Sequence, residues 1–181
     1  MPDKLFIVVS GLPASGKSTL AARLAEALEL PLLDKDDILE ALFSGAGDVD
    51  PAKRSQLSRM SDDVLAKIAA MSQGSVIVSH WRHEDVEGAS GTPVAWLKAL
   101  PGTLVEVYCA CPPDIAERRF RLRQRHPAHH DGARAAGLGE QLRRLAERGP
   151  LLIGPTVTVR TDKPYDFEAL LEQVRSRLAE V

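Results

Sequence analysis

The chain has 181 residues, 44% hydrophobic and 27% charged, with a formal net charge of −2. That length and mix suit one globular domain with a sizeable core and exclude a disordered chain. The slight negative charge provides no global basic field for nucleic acid, and no apolar run is long enough to span a membrane.

The first apolar run, residues 5–9, has the length and β-branched content of a buried parallel strand. It leads straight into Gly11-Leu12-Pro13-Ala14-Ser15-Gly16-Lys17-Ser18, the G-x-x-x-x-G-K-[ST] spacing of a phosphate-binding loop. The spacing has a mechanism. The glycines let the backbone curl into a ring of N–H donors around a β-phosphate, Lys17 reaches the β- and γ-phosphates, and the Ser18 hydroxyl can ligate Mg²⁺. Leu20, Leu24 and Leu28 recur every four residues and predict a helix over 17–29. The positive N-terminal end of that helix adds to the anion site. ATP and Mg²⁺ are the cofactors this pattern calls for. An N-terminal apolar segment that ends in such a loop is not a signal peptide, which implies a cytoplasmic location.

A second strand at 30–33 runs into Asp34-Lys35-Asp36-Asp37 and a helix at 36–43. A phosphotransferase needs a carboxylate here to accept the acceptor hydroxyl's proton or to orient that hydroxyl, although acids in a first helical turn also simply stabilise the helix. A helix over 52–72 precedes a third strand, 75–79. That strand ends on Ser79 and His80, where many P-loop nucleotide hydrolases carry a Mg²⁺-holding aspartate. The substitution takes the usual Mg²⁺-holding acid away from this strand end and disfavours the motor and switch proteins. His80, Trp81, Arg82 and His83 follow at the same sheet edge. Arg82 suits an anionic or polar acceptor and Trp81 suits stacking on a ring, the plain alternative being an exposed loop with a packed Trp.

A short helix at 93–99 and a strand at 103–109 come next. Cys109 and Cys111 share one face of that strand's end, which makes a poor disulfide and, with two thiols alone, a poor metal site, so they read as buried structural residues. Pro112-Pro113-Asp114 opens a helix over 114–125. Segment 117–130 holds Arg118, Arg119, Arg121, Arg123 and Arg125 against Glu117, with His126, His129 and His130. Arg119 and Arg123 lie four apart on one face. A helix at 138–148, a strand at 156–160 and a helix at 166–180, opened by Asp166, complete the chain. Five strands alternating with helices predict an α/β, three-layer fold with a five-stranded parallel sheet and helices on both faces. Ligands of such sheets bind beyond the carboxyl ends of the strands.

The P-loop, the acidic segment after strand two and the arginine-rich helix together resemble the small P-loop kinases. These include polynucleotide kinase, gluconate kinase, shikimate kinase, chloramphenicol phosphotransferase and the zeta-toxin kinases. The resemblance spans nearly the whole chain in architecture, while only the P-loop is highly specific. It implies one kinase-like domain over 1–181 with a helical lid near 117–137, moving the γ-phosphate of ATP to a hydroxyl of a small molecule. By the same resemblance Gly11, Pro13, Ala14, Ser15, Gly16, Lys17, Ser18 and Thr19 hold the nucleotide, and Thr161 and Lys163 pack the adenine. Asp36 contacts the acceptor as base, Asp34 is an outer Mg²⁺ group beside Ser18, and the two acids share one tight turn in which the roles are interchangeable. Arg119 and Arg123 close over the phosphates, so Lys17, Asp36, Arg119 and Arg123 form the catalytic set, and Asp36, Trp81 and Arg82 take the acceptor. The His126–His130 run reads as the lid's tip rather than a metal site. Two other functions stay open. A nucleic-acid end kinase needs phosphate-binding lysines in its groove, and the chain has seven lysines in all. A nucleotide-dependent regulator that hydrolyses ATP slowly needs effector regions. The partner predicted is a small hydroxylated acceptor, without nucleic acid or membrane, and the sequence leaves the oligomeric state open.

Overall fold

A computed structural model of the chain describes residues 4–84, 91–129 and 137–179. In chain order the elements are β1 (Leu5–Gly11), α1 (Lys17–Ala27), β2 (Leu32–Asp34), α2 (Lys35–Gly45), α3 (Pro51–Met71) and β3 (Gly74–Val78). There follow β4 (Trp81–Arg82), β5 (Thr92–Pro93), a 3₁₀ turn (Ala95–Ala99), β6 (Thr103–Ala110) and α4 (Pro113–Leu122). A second 3₁₀ turn (Pro127–His129), α5 (Leu138–Arg148), β7 (Thr156–Arg160) and α6 (Phe167–Ala179) end the order.

The main sheet is parallel, in the order β2-β3-β1-β6-β7, with Ile7 level with Val76 on one side and Val105 on the other. The central strand is apolar on both faces because both are covered. Ile7 and Val9 face α1 and α6 and pack with Leu20, Leu24, Leu171 and Val174. Phe6 and Val8 face the opposite way, onto Leu65 and Ala69 of α3 and Leu97 of the 3₁₀ turn. β1 has its sequence-later neighbours on opposite sides, so its carboxyl end opens at the point where the strand order reverses. That crevice is where such sheets take ligands.

The five predicted strands and the sheet they form match the structure, and two local expectations do not. The helix expected at 93–99 is a 3₁₀ turn preceded by β5, which pairs with β4 in a second, two-stranded sheet. Pro93 lacks an N–H, and Thr92 is held by Ser79 and Asp62, so the chain stays extended there. The arginine helix ends at Leu122 rather than 125, because Arg123 turns extended after its N–H bonds the Arg119 carbonyl.

One fully buried carboxylate ties the sheet to the loop before β7. Glu106 on β6 accepts hydrogen bonds from the N–H groups of Leu151 (2.8 Å) and Leu152 (2.9 Å) and from the Ser10 hydroxyl. Leu152 sits at φ 56°, a conformation a β-branched or bulky residue keeps only when held. Glu106→Ala strands these donors in the core. It should lower the free energy of unfolding by about 3 kcal/mol, read by urea denaturation, and a loss below about 1 kcal/mol would mean that the loop holds without the carboxylate.

Candidate functional site

The loop between β1 and α1 is shaped by two glycines that no other residue replaces. Gly11 has φ 133°, and a Cβ on it would lie 2.6 Å from the Cys109 carbonyl oxygen on β6. Gly16, at φ 97°, is the left-handed N-cap of α1. Between them Ala14 is also left-handed at φ 61°, and the Ser15 N–H closes a turn onto the Leu12 carbonyl at 3.1 Å. Successive left-handed and right-handed residues turn their N–H groups into one concavity, the geometry of an anion nest. The Ser15 hydroxyl, fully buried under this loop, has no hydrogen-bond partner among the described residues. A phosphate in the nest would take up the N–H groups that face the cleft.

Lys17 opens α1 with its side chain folded back over the loop, where Nζ donates to the carbonyls of Leu12 (2.7 Å) and Gly11 (3.1 Å). Burial lowers its pKa to about 8, although Asp36 and Asp34 nearby pull the other way. The Ser18 hydroxyl donates to the Asp34 carboxylate. Asp34 ends β2, is buried, and accepts the N–H of Asp36 at 2.9 Å, which makes it the N-cap of α2. Burial raises the Asp34 pKa, and the hydrogen bonds from Asp36 N–H and Ser18 lower it. A serine hydroxyl backed by a carboxylate fits Mg²⁺, which takes one or two protein oxygens and keeps its other positions for phosphate and water.

Asp36, in the first turn of α2, forms an ion pair with Arg125 from the segment after α4. His129 Nδ1 stands 3.8 Å from its other oxygen, and His129 Nε2 lies 2.6 Å from Glu40. Burial holds the His129 pKa below its usual value. The segment is anchored further by Arg54 Nε, which donates to the Ala128 carbonyl at 2.9 Å, and by His126 meeting Phe43 edge-on at 5.6 Å. At the end of β3 the Ser79 hydroxyl bonds Thr92 (2.5 Å), Thr92 donates to Asp62 of α3 (2.7 Å), and Asp62 pairs with Lys35 (2.7 Å). An acid therefore does reach this strand end, from a helix rather than from the strand.

These groups surround one cleft of about 910 Å³. Pro13, Ala14, Gly16, Lys17, Ser18 and Thr19 of the loop and α1 line it, together with Asp34, Asp36, Arg82, Arg119 and Arg123. Gly11 and Ser15 lie beneath the loop. Thr161 stands beside Gly16 and its carbonyl accepts Arg119 Nη2 at 2.9 Å. Arg123 lies over the Phe120 ring, 4.1 Å from its centroid. Lys163 is exposed and outside the cleft wall.

Trp81 departs from its expected role. It is 5% exposed, packs in the layer beneath the sheet with Trp96, and its indole N–H donates to the Val9 carbonyl at 2.9 Å. An indole whose one donor is satisfied by the core does not offer its face to an acceptor ring. Cys109 and Cys111 are buried free thiols as expected. Of the predicted lid, residues 130–136, with His130, lie outside the described residues. Sequence reasoning passed over Lys35, Arg59, Asp62 and the Asp36 contacts of Arg125 and His129. A usable signal was present in α3, where Arg54, Ser58 and Asp62 recur every four residues and make a polar stripe, all of it on the cleft.

The burial of Lys17 has a pH consequence. With the pKa near 8, the ammonium is charged below that pH in the empty protein, and phosphate binding restores a higher pKa. Nucleotide binding at pH 8 should therefore take up about half a proton, and at pH 6 none from this group. Titration calorimetry of ADP without metal, in buffers of different ionisation enthalpy, measures this, and equal uptake at both pH values in Lys17→Arg and wild type would contradict it.

Comparison with known proteins agrees with this geometry. A 1.70 Å crystal structure of a candidate kinase from Chloroflexus aurantiacus j-10-fl superposes with a TM-score of 0.78 at 30% identity, covering 97% of this chain and 99% of that one. Shikimate kinase from Acinetobacter baumannii, solved with shikimate, shares the fold with a TM-score of 0.57 at 20% identity, over 96% and 90% of the two chains. The shikimate kinase of Corynebacterium glutamicum is 33% identical over 101 residues, 50% of this chain and 56% of that enzyme, so the match spans little more than half of its length. The profile of the family AAA_33, described as an AAA domain, matches residues 6–148. The chain belongs to this AAA-domain family, and its fold is that of the small P-loop kinases.

Proposed function

We propose that this protein is an ATP- and Mg²⁺-dependent phosphotransferase that moves the γ-phosphate to a hydroxyl of a small molecule. The observation that carries the reading is the juxtaposition in one cleft of an anion nest with its lysine and, across from it, a carboxylate at the end of β2. The loop amides and Lys17 bind the β- and γ-phosphates, and Ser18 with Asp34 holds Mg²⁺, which when bound neutralises phosphate charge. Asp36 orients the acceptor hydroxyl in line with the γ-phosphate and takes its proton as the new P–O bond forms. Arg119 and Arg123 face the transferring group and stabilise its charge.

The acceptor end of the cleft carries Arg54 and Arg59 from α3, Arg82 from β4 and Arg125, with Lys35 held by Asp62. Guanidinium groups suit carboxylate and phosphate, so the acceptor is a hydroxylated anion small enough to share about 910 Å³ with the nucleotide. A nucleic-acid end kinase fits less well, since the chain is weakly acidic overall. Among the described residues no helix is long and apolar enough to cross a membrane. We place the reaction in the cytoplasm, where ATP is found.

Screening hydroxylated carboxylates and phosphates for ATP-dependent phosphorylation tests the reading, with turnover rising well above the rate without acceptor. On the acceptor so found, Asp36→Asn should transfer phosphate about 10²-fold more slowly with ATP affinity nearly unchanged, whereas Asp34→Asn should raise the Mg²⁺ requirement. If only Asp34→Asn abolishes transfer, the two carboxylates exchange roles. If neither does, this turn is not the acceptor site.

The lid reading of 117–137 rests on two contacts of its described part, Arg119 with the Thr161 carbonyl and Arg125 with Asp36, which bridge the cleft. Closure over phosphate charge should slow amide exchange across 117–129 when ATP and Mg²⁺ are added. Exchange that stays the same with nucleotide present would remove the lid.

A further inference from the structure

Helix α3 turns one face to the cleft and a different face to solvent. Met60, Val64, Ile68 and Met71 are 43%, 36%, 42% and 72% exposed, a set of large apolar side chains spaced four, four and three residues apart. At about 100° per residue they form one stripe, on the side of the helix away from the cleft residues Ser58 and Asp62. Nothing among the described residues covers it. Monomeric soluble proteins seldom leave a continuous apolar stripe of this kind open.

The flank of the stripe indicates what covers it. Asp63 and Lys67 lie along one edge, exposed, opposite in charge, and neither paired within the chain among the described residues. Two α3 helices laid antiparallel about a two-fold axis between positions 65 and 66 bring Met60 opposite Met71 of the other copy and Val64 opposite Ile68. The same axis brings Asp63 opposite Lys67, twice by symmetry. All three pairings fall within one residue, about 1.5 Å, of a single register. An isologous pair needs such self-complementarity, whereas an unrelated partner or a lipid surface gives no reason for the charges to be antisymmetric about the centre of the apolar set.

We propose that the outer face of α3 is a self-association surface through which two copies of this chain pair antiparallel. One helix pair buries less than the ~800 Å² per partner of a standard stable interface, so the dimer is concentration-dependent. The clefts face away from the contact, and the proposal does not rest on the phosphotransferase reading.

Sedimentation velocity over a hundredfold range of protein concentration tests it. The wild-type mass should climb from one chain toward two, and Ile68→Glu, with an unchanged circular dichroism spectrum, should stay at one. Asp63→Lys and Lys67→Asp should each weaken association about tenfold, and the double exchange should restore it. A wild type that stays monomeric throughout overturns the proposal. So does a dimer indifferent to Ile68→Glu, and so does a stripe that binds anionic vesicles without self-association. A dimer that the double exchange fails to restore overturns the antiparallel register.

Discussion

A buried ammonium needs a buried anion. Lys17 lies in a ring of backbone where, among the described residues, the carbonyl oxygens of Gly11 and Leu12 accept from it, and burial has drawn its pKa to about 8. Much else follows from this buried charge. The loop takes its shape from two positions where a Cβ is excluded by backbone or by φ, which leaves room for phosphate oxygens and none for side chains. The Ser15 hydroxyl lies buried under the same loop without a hydrogen-bond partner among the described residues. The loop thus forms a donor-rich concavity, which in the proposed reading takes the phosphates of the nucleotide.

The two halves of the cleft are made of different material. The nucleotide half is backbone, glycine geometry and one helix end, all fixed by β1 and α1. The acceptor half is side chains drawn from α2, α3, β4 and the segment after α4. In the proposed reading this separates a phosphate grip set by backbone geometry from a specificity surface made of side chains from distant segments.

That division explains what could be read from the sequence. The P-loop is local, eight residues whose spacing encodes its geometry, and the strand before it and the helix after it are equally local. The order of β-α units then leaves little choice of sheet. The acidic turn was legible because Asp34 and Asp36 are two residues apart, although Asp34 as N-cap of α2 was not expected. The pairing of Arg125 with Asp36 spans 89 positions, and nothing in either neighbourhood names the other. Trp81 was misplaced for a related reason. At a strand end the sequence gives an alternation of faces but not which face is wet, and only the Val9 carbonyl, 72 residues earlier, decides it. The end of β3 carries no acid of its own, and Asp62, which reaches Thr92 beside it, comes from a helix that only the packed fold brings there.

The chain of bonds from Ser79 through Thr92 and Asp62 to Lys35 bears on how such an enzyme diverges. It knits β3, β5, α3 and the start of α2 into one frame without using Arg54, Arg59 or Arg82. Those three arginines stand on the frame like fittings on a chassis. In the proposed reading, replacing an acceptor-facing side chain that this frame does not use would change which molecule is welcome while the frame holds, so a lineage built on it can change its acceptor one residue at a time without passing through unfolded intermediates.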